Sequence, residues 1–145
     1  LVWYTGGKRL FTLWEGGHPH KIDAFALSTE RMSQLGGVLR QSDPISGKVV
    51  FCDPKKRQLL GYGNNQDAKS SDLTLYEFDS KFRLNKKVTT QFQGMALISD
   101  FCATERYAVF VQPPISANSM QFLFVKEPGK VLRLENGPAV SVLTT

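Results

Sequence analysis

"LTLYEFDSKFRLNKKVTT", residues 73–90, alternates its side chains with a period of two. In an extended chain Leu73, Leu75 and Glu77 share one face, and Thr74, Tyr76 and Phe78 share the other, because successive strand side chains point to opposite sides. "DSKF", 79–82, breaks the pattern with turn formers, and "RLNKKVTT" resumes it. This is a hairpin. The same plan recurs on both sides of it. "LVWYT" and "LFTLW" flank "GGKR", and "KVVFC" and "LLGYG" flank "DPKKRQ", where proline fixes φ and cannot continue a ladder. "MALISDFCA" and "YAVFVQ" flank "TER", "MQFLFVK" and "VLRLE" flank "EPGK", and "AVSVLTT" begins a further strand. The sequence therefore predicts an all-β chain of meandering antiparallel hairpins forming a single domain over 1–145.

Departures from this plan are few. "LSTERMSQLGG", 27–37, is the one helix candidate, with Ser28 as cap and Gly36-Gly37 as its end. The polar run "GNNQDAKSSD", 63–72, and the proline-interrupted "QPPISANS", 112–119, read as loops. The hairpin turns fall at irregular intervals, a range in which blade-type repeats are worth considering. Open antiparallel sheets expose edges and apolar faces, so the chain must close on itself or dock onto something larger.

With 41% apolar and 21% charged residues among 145, the composition is that of one globular domain. No run approaches the ~18 consecutive apolar residues of a membrane helix. The chain opens at Leu1 in what reads as mid-strand, without an initiator methionine, so the expectation is a processed or partial product of a longer precursor.

The net charge of +5 comes from short clusters: Lys8-Arg9, Lys55-Lys56-Arg57 and Lys86-Lys87. Each lies between strand-like runs and reads as exposed turn charge. The aromatics alternate inside strands and are not interleaved with these charges, which argues against nucleic-acid binding. Docking onto an acidic partner remains open, with Lys55, Lys56, Arg57, Lys86 and Lys87 as the candidate contacts. Cys52 and Cys102, fifty positions apart, make neither a disulfide framework nor a zinc signature and read as buried, unpaired thiols.

"LWEGGHPHKID", 13–23, holds the chain's two histidines, one residue apart. In a strand His18 and His20 would share a face, which is good chelate geometry. Pro19 between them and Gly16-Gly17 before them favour a turn, and no other histidine is present to complete a ligand set. The expected arrangement is a tight turn with Trp14 packed inward and the polar side chains facing water. Ser116 and Ser119 have no spaced histidine and acid, so a hydrolase triad is unsupported. "GGVLRQS" and "GYGNN" lack the helix and lysine of a phosphate loop. Asp53, Asp79 and Asp100 remain as carboxylates, two of them placed to open turns.

Four ordered blocks give these residues a context. "YTGGKRLFTLWEGGHPHKID", "LGGVL" at 35–39, "DLTLYEFDSKFRL" at 72–84 and "ISDFCATERYAVF" at 98–110 resemble, in order, segments of the carotenoid cleavage oxygenases. The resemblance runs through most of 1–112 and is weaker over 113–145. Trp14, Glu15, Gly16, Gly17, Asp53, Pro54, Asp100 and Phe101 carry its signature. It implies two to three blades of an incomplete β-propeller, from a seven-bladed fold whose axis holds one Fe(II) on four histidines for dioxygen-dependent cleavage of a conjugated double bond.

Two of those ligands should fall inside this chain. The first, just before Asp53-Pro54, corresponds most nearly to Val49, within one residue across a local length change. The second corresponds to Ser99 in Ser99-Asp100-Phe101. Neither is a histidine, and His18 and His20 match neither position. The resemblance with these departures leads to the expectation of a non-catalytic structural subunit, without iron, docked onto a larger and possibly membrane-bound multiprotein complex. Family relatives in photosynthetic lineages extend that expectation to a plastid photosystem–antenna assembly, peripheral to the thylakoid. The alternatives are a carotenoid- or apocarotenoid-binding module without iron, and part of an Fe(II)-dependent dioxygenase.

Overall fold

The computed structural model describes residues 2–4, 9–46, 48–53, 58–66, 70–79, 83–93, 97–113, 115–117, 132–134 and 140–144. Every regular element among them is a strand. The first sheet runs β1 (Val2–Tyr4), β2 (Arg9–Thr12), β3 (His20–Ile22), β4 (Thr29–Met32), each antiparallel to the next. The second follows the same plan with β5 (Val49–Asp53), β6 (Gln58–Gln66), β7 (Ser70–Phe78) and β8 (Leu84–Gln93). A third sheet places β10 (Tyr107–Val111) between β9 (Phe101–Ala103) and β13 (Val140–Thr144). Between these in sequence, β11 (Ile115–Ala117) pairs with β12 (Leu132–Leu134).

The alternation of residues 73–78 decides how the sheets stack. Leu73 and Leu75 join Leu60 and Tyr62 in one buried cluster with Ile98, Phe101, Ala108 and Phe110 of the third sheet and its entry. Tyr76 and Phe78, one position out of phase, join Leu59 in a second cluster with Phe11, Leu35, Leu39 and Ile45 from the first sheet and the segment after it. The second sheet is thus covered on both faces, and residues 73–78 carry apolar side chains on each of them. Aromatic edges lock the first of these interfaces. Tyr62 meets Phe101 and Phe110 edge-on, each at 5.3 Å between centroids, and the two phenylalanines stack at 5.1 Å.

Several expectations need correction. The helix at 27–37 is absent: Thr29–Met32 is β4, paired with β3. Leu27 and Leu35 both adopt left-handed backbone, with φ of 52° and 50°, as do Gly36 and Gly37 at 73° and 90°. That conformation cannot propagate a right-handed helix. Asp23 organises the β3–β4 turn by accepting hydrogen bonds from the amides of Phe25 and Ala26, and leaves Phe25 99% exposed at its tip. The loop at 63–72 is mostly ladder, since Asn64, Asn65 and Gln66 pair with Leu73, Asp72 and Ser71. Residues 115–117, read as loop, form β11.

Other differences concern single side chains. Cys102 is exposed, because the phase of β9 buries Phe101 instead. Lys86 and Lys87 lie within β8 and not in a turn. The turns at 54–57 and 79–82 fall wholly or partly outside the described residues, as do "MQFLFVK" and the "EPGK" turn.

Candidate functional site

Trp14-Glu15-Gly16-Gly17 closes the first sheet and begins the site. An isolated bridge joins Trp14 to Ile45, and the Ile45 amide donates to the Gly17 carbonyl at 3.2 Å. The indole lies across the glycine pair: a Cβ on Gly16 would come within 2.4 Å of the ring, and one on Gly17 within 3.1 Å. The glycines are needed because the ring occupies their side-chain space. Trp14 itself is 58% exposed, which corrects the expectation that it packs inward.

His18 reverses its expectation too. It is 7% exposed, with Nε2 2.6 Å from the Arg40 carbonyl oxygen and Nδ1 3.4 Å from Met32 Sδ. Nε2 therefore carries the proton and donates, and the ring ties the turn to the segment after the first sheet. His20 sits at the start of β3, half-buried.

Residues 44–46 thread from the first sheet to the second. Gly63 admits them, since a Cβ there would stand 2.1 Å from the Pro44 carbonyl oxygen. The buried Ser46 donates its amide to the Tyr62 carbonyl at 2.6 Å, and its hydroxyl oxygen accepts the Lys48 amide at 3.1 Å. Tyr62 in turn donates its phenol to the Ile98 carbonyl at 2.8 Å. Burial pushes this phenol above its ordinary pKa, opposed by a hydrogen bond to Ser46.

These contacts border a cavity of about 400 Å³, open to solvent, lined by Glu15, Ser46, Tyr62, Asn64, Ile98 and Ser99 among others. Ser99, one of the two positions where the resemblance places a histidine, therefore lies at its wall. Val49 opens β5, opposite Gly61. Its neighbour Lys48 reaches across to Asp100, with Nζ 3.2 Å from Oδ2. The Phe101 amide donates to the other Asp100 oxygen at 2.8 Å. That amide and the Lys48 ammonium hold the Asp100 carboxyl below the usual carboxylate range.

The donor set does not fit iron on four imidazoles. Ferrous sites use imidazole and carboxylate donors at open positions, whereas the residues here offer a serine hydroxyl, the single carboxylate of Glu15 and, beside them, an ammonium already paired with Asp100, with no imidazole. The described residues contain no group of three or more His, Cys, Asp or Glu side chains arranged to hold a metal ion. The structure thus brings Glu15, Ser99 and the Lys48–Asp100 pair to one region and leaves His18 and His20 in the turn. Lys48 and Tyr62 were not singled out from sequence. A lysine before a strand and a tyrosine inside one carry no local signal of their partners.

The basic docking candidates divide. Lys87 is engaged internally, 3.7 Å from Asp43 and 5.3 Å above the Tyr76 ring. Lys86 is exposed on β8. Lys55, Lys56 and Arg57, with Pro54, lie outside the described residues, and only the backbone of Asp53 is described, at the end of β5. No helix among the described residues is long and apolar enough to cross a membrane.

Comparison with known proteins supplies the ancestry. The model of the family described as retinal pigment epithelial membrane protein, RPE65, matches residues 2–140, extending past the four sequence blocks into the C-terminal strands. Apocarotenoid-15,15'-oxygenase from Synechocystis sp. (strain ATCC 27184 / PCC 6803 / Kazusa) is 36% identical over 123 residues, 81% of this chain and 25% of the relative. A crystal structure of an ACO/RPE65 chimera superposes with a TM-score of 0.81 at 26% identity, over 99% of this chain and 33% of that one. Cobalt-substituted Synechocystis ACO gives 0.80 at 26% identity, with the same coverage. The chain thus spans a quarter to a third of the relatives it matches, and its three stacked sheets are those of a partial propeller. With family model, sequence relative and solved structures in agreement, this chain belongs to the retinal pigment epithelial membrane protein family, that of the carotenoid cleavage oxygenases.

Proposed function

We propose that this chain is a non-catalytic interaction module built on the carotenoid oxygenase fold. The observation that carries this reading is that Val49 and Ser99, the latter at the cavity wall, stand where the resemblance calls for imidazoles. A fold does not fix an activity, and the activity of relatives rests on side chains that these positions do not supply.

The docking face on this reading is the outer side of the third sheet. Ala108 and Phe110 of β10 turn inward, leaving Tyr107, Val111 and Cys102 exposed on β9 and β10. The occupant is a further antiparallel sheet of the same fold, since the second sheet is covered in that manner on both of its faces. The chain's share of its relatives leaves about two thirds of their length to supply such sheets. Nothing in the geometry selects a photosynthetic assembly or a plastid address.

The test is to mix the chain with the complementary two thirds of Synechocystis apocarotenoid oxygenase. A one-to-one complex by native mass spectrometry, in which Cys102 becomes protected from alkylation, supports the reading. Failure to associate, or a Cys102 equally reactive in the complex, contradicts it.

A second reading, a binding module for an apocarotenoid without iron, draws on the cavity, whose ~400 Å³ lies within the range of small-molecule sites. Retention of an added apocarotenal through desalting, lost on Tyr62→Ala, would favour it.

A further inference from the structure

We propose that His18, His20 and Met32 form a surface site for a soft monovalent cation, Cu(I). The inference goes beyond the non-catalytic reading and does not rest on it.

The tautomer of His18 is the first argument. Its Nε2 lies 2.6 Å from the Arg40 carbonyl oxygen, which accepts only from an N–H. In the neutral ring the proton is thus on Nε2, and Nδ1 presents a lone pair. Nδ1 faces Met32 Sδ at 3.4 Å, and a thioether has no hydrogen to give. Two electron-pair donors therefore converge on one point. Metal-bound imidazoles are held in the same way, with the second ring N–H on a carbonyl that fixes the tautomer.

Distance is the second. Metal bonds of about 2.0–2.1 Å to imidazole nitrogen and about 2.3 Å to sulfur, at a tetrahedral angle, set the donors about 3.5 Å apart. The observed 3.4 Å fits that spacing.

The β3–β4 ladder brings a third donor. His20 stands directly opposite Met32, and the Ser33 amide continues the pairing by donating to the Pro19 carbonyl at 2.8 Å. Residues directly opposite on antiparallel strands share a face, with Cβ atoms about 4.5–5.5 Å apart. The two histidines of the chain thus flank one thioether.

The donors decide the ion. Two imidazoles and a thioether are uncharged and soft to borderline, the set that favours Cu(I) over hard cations. Met32 is 53% exposed and His20 half-buried, so the ion reaches them from solvent, while the buried His18 anchors the site.

The chain has three methionines, so methyl-13C methionine labelling reads the site directly. The intact chain is titrated anaerobically with up to three equivalents of Cu(I), more than Cys52 and Cys102 can consume at one ion each. The Met32 methyl resonance, assigned by its loss in Met32→Leu, should move with Cu(I) and stay in place with Zn(II). His20→Ala should weaken Cu(I) retention against bicinchoninate by more than about tenfold.

A Met32 methyl that three equivalents of Cu(I) leave in place would overturn the site and reduce the His18 contact to sulfur–aromatic packing. Movement with Zn(II) as well would overturn the choice of a soft ion. Unchanged retention in His20→Ala would remove the third donor and with it the site as proposed.

Discussion

Tyr62 donates its phenolic hydrogen to the Ile98 carbonyl across 2.8 Å of buried space, joining the middle sheet to the chain immediately before Ser99. The bond orients the cavity wall. Its ring meanwhile fills the interface with Phe101 and Phe110.

Tyr62→Phe keeps that ring packing and leaves the Ile98 carbonyl without its donor. Loss of a buried hydrogen bond of this kind costs about 1–3 kcal/mol. Urea denaturation should show that loss with an unchanged slope. An unaltered midpoint would mean that the bond contributes nothing to holding the two sheets together.

Gly63→Ala tests the threading of residues 44–46. The added methyl would meet the Pro44 carbonyl oxygen at 2.1 Å, and backbone has to move to relieve that contact. Overpacking costs about 1–3 kcal/mol, here at the junction of two sheets. A thermal midpoint equal to that of the wild type would contradict the close approach.

The two histidines should behave differently. His18→Ala removes a buried donor from the Arg40 carbonyl and empties part of the turn, with an expected loss of about 1–3 kcal/mol. His20→Ala, at a half-buried strand end, should fall within ~0.5 kcal/mol of the wild type. Equal effects would show that His18 does not tie the turn to the segment carrying Arg40.

Alkaline stability should report Tyr76. It is 1% exposed, and burial pushes its phenol from 10.0 up to about 12, with Asp43 adding to the shift. The folded state favours the neutral form. Its contribution is therefore complete below the unfolded pKa near 10.0 and is lost as pH rises through about 12. Tyr76→Phe should flatten that part of the stability profile. An identical alkaline limb in the variant would assign the transition to another group.

Much of the fold was legible because one short period recurs. The alternation at 73–78 put Leu73 and Leu75 on one face and Tyr76 and Phe78 on the other, and the two pairs pack against different neighbouring sheets. The helix at 27–37 misled because its polar residues satisfy a helical start and stop as readily as a tight turn. Leu27 and Leu35 in left-handed backbone are invisible to composition. The site was half legible. Ser99 could be named from its block, whereas Lys48 could not, since its meaning comes from a contact with a residue 52 positions away. His18 looked like a solvated turn residue because Arg40 and Met32, which bury it, are distant in sequence.

The measurement that bears most directly on the non-catalytic assignment is anaerobic loading of the chain with iron(II), followed by metal analysis after desalting and by incubation with an apocarotenal in air. The account predicts substoichiometric iron and no cleavage product, because Val49 and Ser99 supply no imidazole. One iron per chain with release of a shortened aldehyde would contradict it.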